Sequence, residues 1–303
     1  DELTQKKRER SLWDLVLYGS SGKPPSPSPP LPQPMPPQDD PASTLMAADE
    51  APEGRIRNVE GYQLLPAGTI LCVKDLTLLT PDGSRQLFGN VSVNISPGEH
   101  LLIMGNSGTG KSSMLRTVAG LWDRGSGEVL RPPTSETMFL PQRPYCTLGS
   151  LRQQLVYPQT VEEWSRKNTD DSLLRALGTV QLGRLAEAGS DGLDAVRDWG
   201  DELSLGEQQR LGFARILVNQ PRLAILDEAT SALDLNNEAV MYNAIASIPG
   251  ITFVSVGHRP SLLQFHGSRL RLYGMDESPS FAVEPIDDAT KATQAQLEAN
   301  LAI

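Results

Sequence analysis

The sequence has 303 residues, of which 39% are hydrophobic and 21% charged, and its 37 acidic and 27 basic side chains give a formal net charge of −10. That length suits one large domain or two small ones at roughly 100–200 residues each, and so acidic a balance argues against a general nucleic-acid binder, because phosphate backbones are repelled. Two cysteines, Cys72 and Cys146, cannot make a disulfide framework and suit a reducing compartment, and no run approaches the roughly 18 consecutive apolar residues of a membrane span.

Residues 1–60 read as a stub and linker. The chain begins at Asp1 rather than Met, as a processed product or a fragment would. A mixed charge run from Lys6 to Arg10 gives way to Leu12, Trp13, Leu15, Val16 and Leu17, the pattern of a helix end or of a frayed tail. Ten of the 24 prolines lie between Pro24 and Pro41. That stretch has no hydrophobic periodicity and reads as an extended, polyproline-like spacer. Pro24, Pro27 and Pro30 also fit the spacing of a PxxP ligand.

The ordered domain is expected over residues 61–278. Short β-type runs, ILCVKDLTLL and FGNVSVNI, are separated by a turn at Pro81-Asp82-Gly83. HLLIM at 100–104 is a continuous apolar run ahead of a glycine, the mark of a strand buried on both faces. A helix follows from Gly110, with Met114, Leu115, Val118 and Leu121 on one side. Residues 160–200 read as helices, and LAILD (223–227) and ITFVSV (251–256) as two more buried strands. Strands alternating with helices predict an α/β fold with a mostly parallel sheet. After Pro279 the chain turns polar, so 279–303 is expected to be a loosely held tail.

The chemistry concentrates at three places. GNSGTGKS, Gly105 to Ser112, fits G-x-x-x-x-G-K-[ST] between a strand and a helix. Gly105, Gly108 and Gly110 let the backbone N–H groups of the loop (with Asn106, Ser107 and Thr109) form a nest for anionic oxygens, beside the positive end of the helix that carries Ser113. Lys111 would reach the β- and γ-phosphates and Ser112 would ligate Mg²⁺. The segment therefore predicts nucleoside triphosphate binding. Asp227, ending an apolar strand, would hold the same metal at the carboxyl edge of the sheet. Glu228 stands next to it as the group that orients or deprotonates an attacking water. His258 ends the ITFVSV segment and could place an imidazole on the γ-phosphate, whereas His100 and His266 read as structural.

Taken in order, these residues resemble the nucleotide-binding domain of an ATP-binding-cassette (ABC) transporter. The decisive segment is LSLGEQQRLGFAR at 203–215, which is similar to the ABC signature. The resemblance implies a P-loop NTPase (RecA-like) core with a mostly parallel sheet, an antiparallel β subdomain and an α-helical subdomain. It implies that Ser204 and Gly206 serve the γ-phosphate of an ATP held by a second nucleotide-binding domain. Gln142 in LPQRPY takes the place of the Q-loop glutamine, which senses Mg²⁺ and the membrane domain. SALD (231–234) matches the D-loop, and GHRPS (257–261) carries the switch histidine.

GLWDRGSGEV, MFLPQRPYCTLGSLRQQLVYP and GHRPSLLQFHGSRLRLYG look most similar to subfamily D, the peroxisomal fatty-acyl half-transporters and their plastid and bacterial relatives. The implied function is ATP hydrolysis that powers transport, with ATP and Mg²⁺ as cofactors and a membrane-spanning domain, absent from this chain, as partner. The implied place is a peroxisomal, plastid or bacterial inner membrane, the cassette facing the cytosol or stroma. A soluble ABC ATPase, or an ATP-gated switch without useful turnover, stands as the alternative. Two departures are visible. Leu205 and Glu207 replace the commoner glycine and glutamine of the signature, and no aromatic lies near Leu76 to Pro81 to stack on adenine, leaving Phe88 or Tyr62 as substitutes. Trp122 and Trp199 read as packing residues.

Overall fold

Burial on both faces explains the central sheet. The computed structural model describes residues 54–187, 189–273 and 280–292; the proline-rich segment and the apolar run at Leu12–Leu17 lie outside them. Strands β4 (Leu101–Gly105), β9 (Leu223–Asp227), β10 (Thr252–Val256) and β11 (Ser268–Leu272) are flanked by β6 (Thr137–Leu140) and β12 (Phe281–Pro285) in the order β12-β11-β4-β10-β9-β6. All pairs are parallel except β11 with β12. Side chains alternate across a strand, so Leu101 and Ile103 enter one apolar cluster while Leu102 enters the other. Ile225 and Leu226 divide in the same way. Both faces are covered, which is why these strands carry unbroken apolar runs.

The first cluster is closed by a four-stranded sheet of β1 (Arg57–Glu60), β5 (Gly125–Arg131), β2 (Leu71–Leu79) and β3 (Gln86–Ile95), in the order β1-β5-β2-β3. Helix α1 (Lys111–Val118) joins it, burying Met114, Leu115 and Val118. The second cluster lies under helices α2 (Leu151–Val156), α3 (Val161–Ser165), α4 (Asp170–Thr179), α5 (Arg184–Glu187) and α6 (Trp199–Glu202), a short β7–β8 pair (Gly149–Ser150, Val196–Arg197) and the long helix α7 (Leu205–Asn219). Helix α8 (Leu235–Ala246) adds Met241, Tyr242 and Ile245 to it. None of the described helices is long and apolar enough to cross a membrane.

The structure adds three details to the sequence reading. Strand β1 begins four residues ahead of Gly61, inside the segment expected as linker, and it runs parallel to β5, so the smaller sheet is not wholly antiparallel. Strand β12 lies inside the expected tail at 279–303, paired through Ser268↔Pro285 to Leu272↔Phe281. Both strands are short and mostly half-exposed, so they owe their form to a neighbour's backbone rather than to an apolar pattern of their own.

Candidate functional site

The register of the parallel strands sets the site. Val256 pairs with Asp227 on one side and Ile103 on the other. The segments that follow β4, β9 and β10 therefore emerge together at the carboxyl edge, where open α/β sheets bind ligands. These segments are the Gly105–Gly110 loop, Glu228 and Gly257–His258.

The loop after β4 needs its glycines. At Gly105 the backbone has φ 151° and a Cβ would lie 2.3 Å from the Leu272 carbonyl oxygen. Gly110 is the left-handed N-cap of α1, with φ 92°. Asn106, Ser107 and Gly108 are exposed, whereas Thr109 is buried and donates its hydroxyl to the Asn106 carbonyl at 2.9 Å. The Lys111 ammonium lies back along the loop, donating to the carbonyls of Gly105 (2.9 Å) and Asn106 (2.7 Å). Partial burial lowers its pKa, opposed by the nearby Glu228 and Asp227. In the first turn of α1, Ser113 turns its carbonyl to the Thr117 hydroxyl.

Ser112 meets the second half of the site. Its hydroxyl donates to Asp227 Oδ1 at 2.8 Å. Asp227 is buried, and desolvation raises its carboxyl pKa despite that hydrogen bond. A desolvated carboxylate beside a hydroxyl is a hard-oxygen pair of the kind Mg²⁺ takes, together with phosphate oxygens and water. Among the described residues no group of three His, Cys, Asp or Glu side chains gathers to hold a metal alone, so the donor set fits a metal that arrives with phosphates.

Glu228 sits in a left-handed turn at φ 47°, a conformation that costs a non-glycine residue about 1–2 kcal/mol. The backbone bond from Glu228 N to Val256 O (3.1 Å) holds the turn in place. Its carboxylate accepts from Gln142 Nε2 at 3.0 Å. Glu228, Ser231 and the exposed His258 line one crevice.

Ser204 is the N-cap of α7, in a reciprocal box with Glu207: Glu207 N donates to Ser204 Oγ (3.4 Å), while Ser204 N and Oγ donate to Glu207 Oε2 at 3.0 and 2.8 Å. This is the S-x-x-E capping arrangement, so Glu207 is a good cap where glutamine is commoner. Arg184 pairs with the same carboxylate. Gly206 lies against the Ala232 carbonyl, 3.2 Å from where a Cβ would stand.

Three residues not singled out from the sequence hold these segments together. The fully buried Gln209 on α7 bonds to Gln142, Ser231 and Ala232. Arg259 donates to the Leu233 (2.6 Å) and Ser231 (3.0 Å) carbonyls. Glu238, 1% exposed, accepts from Thr230 and Ser261 beside Arg259. A polar residue on the apolar stripe of Phe213 and Ile216 was the readable sign of Gln209; Glu238 left none.

The substitutes proposed for an adenine-stacking aromatic are corrected. Phe88 is fully buried beneath Gly110, and the exposed Tyr62 donates to Glu136 at 2.6 Å, just ahead of β6 and so at the amino edge of the sheet, opposite the loop. Trp122 and Trp199 donate to the Leu79 and Gly149 carbonyls. His100 stacks on Phe253, and His266 packs edge-on to Phe253 and Tyr242.

Comparison with known proteins bears on the family and the fold. Residues 88–231 match the family model described as ABC transporter. An uncharacterized ABC transporter ATP-binding protein of Synechocystis is 53% identical over 201 residues, 66% of this chain and 29% of that protein. The chloroplastic ABC transporter D family member 2 of Arabidopsis thaliana is 42% identical, covering 71% and 36%. The human lysosomal cobalamin transporter ABCD4 is 44% identical, covering 69% and 35%. The chain thus spans about a third of the length of these relatives. A bacterial Atm1-family ABC exporter solved with ATP bound shares the fold, with a TM-score of 0.62 at 21% identity over 79% of this chain and 43% of the exporter.

Proposed function

The chain carries an ATP-binding cassette of the ABC transporter family, similar to subfamily D, and from this we propose that it hydrolyses ATP to power transport across a membrane. The observation that carries the reading is the convergence of Lys111, Ser112, Asp227, Glu228 and His258 on one sheet edge, set by the β4–β10–β9 register.

Each residue takes a part suited to its position. The loop N–H groups and Lys111 bind the triphosphate, the lysine exchanging its two carbonyl partners for phosphate oxygens. Ser112 and Asp227 would hold Mg²⁺, with Gln142 beside them, and the metal would neutralise charge on the β- and γ-oxygens. Glu228 orients a water for in-line attack and accepts its proton, and His258 donates to the γ-phosphate. Ser204 and the Gly206 backbone, at the start of α7, bind the γ-phosphate of an ATP held by a second cassette. Two such cassettes close head to tail around ATP and reopen after hydrolysis, and the motion passes through Gln142 and α2–α6 to a membrane domain.

The whole protein is thus proposed to work as a homo- or heterodimer at a peroxisomal, plastid, bacterial or comparable membrane, with the cassette on the cytosolic or stromal side. The resemblance to subfamily D is the ground for a fatty-acyl or other hydrophobic cargo; the similar human ABCD4 is a cobalamin transporter. Light scattering tests the dimer. With Mg²⁺-ATP, Glu228→Gln is expected to double in mass, while the nucleotide-free chain and Lys111→Ala stay monomeric. A mass indifferent to nucleotide would contradict the reading.

A further inference from the structure

Three segments of the site meet at a side chain that touches neither phosphate loop nor carboxylate. Gln209 lies one turn into α7 and is 0% exposed. Its Nε2 donates to the Gln142 carbonyl at 2.8 Å and to Ser231 Oγ at 3.0 Å, and its Oε1 accepts from Ala232 N at 2.9 Å. The amide has one acceptor and two donors in a fixed plane. Only one orientation serves this set, because a carbonyl faces its nitrogen and an N–H faces its oxygen.

The connection continues outward from Gln142. The backbone oxygen of Gln142 is held by Gln209, and its side chain donates to Glu228 Oε2 at 3.0 Å. Glu228 itself is fixed at its backbone to the end of β10. On its far side the turn that accepts Gln209 is gripped by Arg259, through the Ser231 and Leu233 carbonyls. Among the described residues α7 thus reaches the carboxylate by two routes, the short turn from Glu228 to Ser231 and the Gln142 segment, and the second ends on the carboxylate itself.

We infer that Gln209 is a positioning residue for hydrolysis: its side-chain amide holds the Gln142 segment and the Ser231–Ala232 turn in the register that lets the Gln142 carboxamide reach Glu228. The inference rests on the role given to Glu228 and Gln142 above. Gln209 acts on the reaction through Gln142, and the helix that begins at Ser204 is thereby mechanically joined to the carboxylate that handles water.

Two variants of this chain test it. Gln209→Glu keeps the volume and the acceptance from Ala232 but loses both donations; Gln209→Leu loses all three bonds. Each is expected to lower kcat about tenfold or more, with KM for Mg²⁺-ATP changed less than about threefold. A readout without turnover accompanies it. Mn²⁺ affinity of the ATP-loaded chain, read by electron paramagnetic resonance, is expected to fall about fivefold, while ATP binding in EDTA stays nearly constant. Both variants lose buried hydrogen bonds and should melt earlier, so the measurements are made well below their thermal midpoints.

In a Gln142→Ala background the Gln209→Glu loss in kcat should shrink to less than about twofold, since the two residues act in one line. Losses that multiply, or unchanged Mn²⁺ affinity in both variants, would overturn the inference. Glu228→Gln run alongside separates the levels. Full turnover there withdraws the role given to Glu228, and the Mn²⁺ measurement still decides on Gln209.

Discussion

Ser112 and Asp227 stand 115 residues apart in sequence and 2.8 Å apart in space, hydroxyl to carboxylate. This contact ties the first turn of α1 to the end of β9. It also defines where a divalent ion would enter, because both oxygens belong to the kind of donor that Mg²⁺ accepts.

Ser112→Ala follows from that contact. Removing the hydroxyl should weaken Mg²⁺-ATP binding about tenfold, equivalent to about 1.4 kcal/mol, and leave binding in EDTA within about threefold. Titration with a fluorescent ATP analogue, with and without metal, reads both. Equal weakening in EDTA would assign Ser112 to the loop's shape instead of the metal.

Glu238 makes a prediction about stability. Its carboxylate is buried between the Thr230 and Ser261 hydroxyls, and Arg259 approaches to 3.5 Å. Glu238→Ala leaves these donors without their acceptor and removes the counter-charge of Arg259, at a cost of about 3 kcal/mol. Glu238→Gln, which keeps an acceptor oxygen, should cost less than half as much. Urea denaturation measures the two, and equal losses would contradict this, showing that the charge rather than the shape or the acceptor oxygen carries the cost.

The two histidines at the opposite end of the sheet set an acid limit. Burial, with Lys291 nearby, lowers His100 from 6.5 to about 4. Burial outweighs the bond to the Leu262 carbonyl and, with His100 and Lys291, lowers His266 to about 3. A histidine depressed on folding binds its proton first in the unfolded chain, so stability falls as the pH drops below about 6.5 and continues to fall toward 4. His266→Asn should flatten that slope while lowering stability at pH 7.5. Thermal midpoints between pH 7.5 and 5 test it; a slope equal to that of the unsubstituted chain would place the acid sensitivity elsewhere.

Much of this was legible in the sequence because the central strands announce themselves. HLLIM, LAILD and ITFVSV are buried on both faces and leave no polar alternation to misread. The phosphate loop was readable for a different reason: its glycines are fixed by φ and by close approach, as at Gly105 against Leu272. RNVE and FAVEP carry no such mark, since their form depends on β5 and β11. Phe88 shows the limit of composition. An aromatic close in sequence to the expected base site is instead core, because a bulge at Asn90 (φ 57°), where the register slips between Leu76↔Val91 and Leu78↔Phe88, turns it to the same side as Val91. Glu238 could not be read at all, for only the packing of α8 against the Pro260–Phe265 turn brings it to Ser261.

Mg²⁺-ATP hydrolysis measured against the concentration of this chain, with Glu228→Gln in parallel, tests the central claim most directly. A site completed by Ser204 and Gly206 of a second cassette predicts turnover per chain that rises with concentration and is abolished by the substitution. Turnover that is independent of concentration would contradict it, because one chain would then complete its own site.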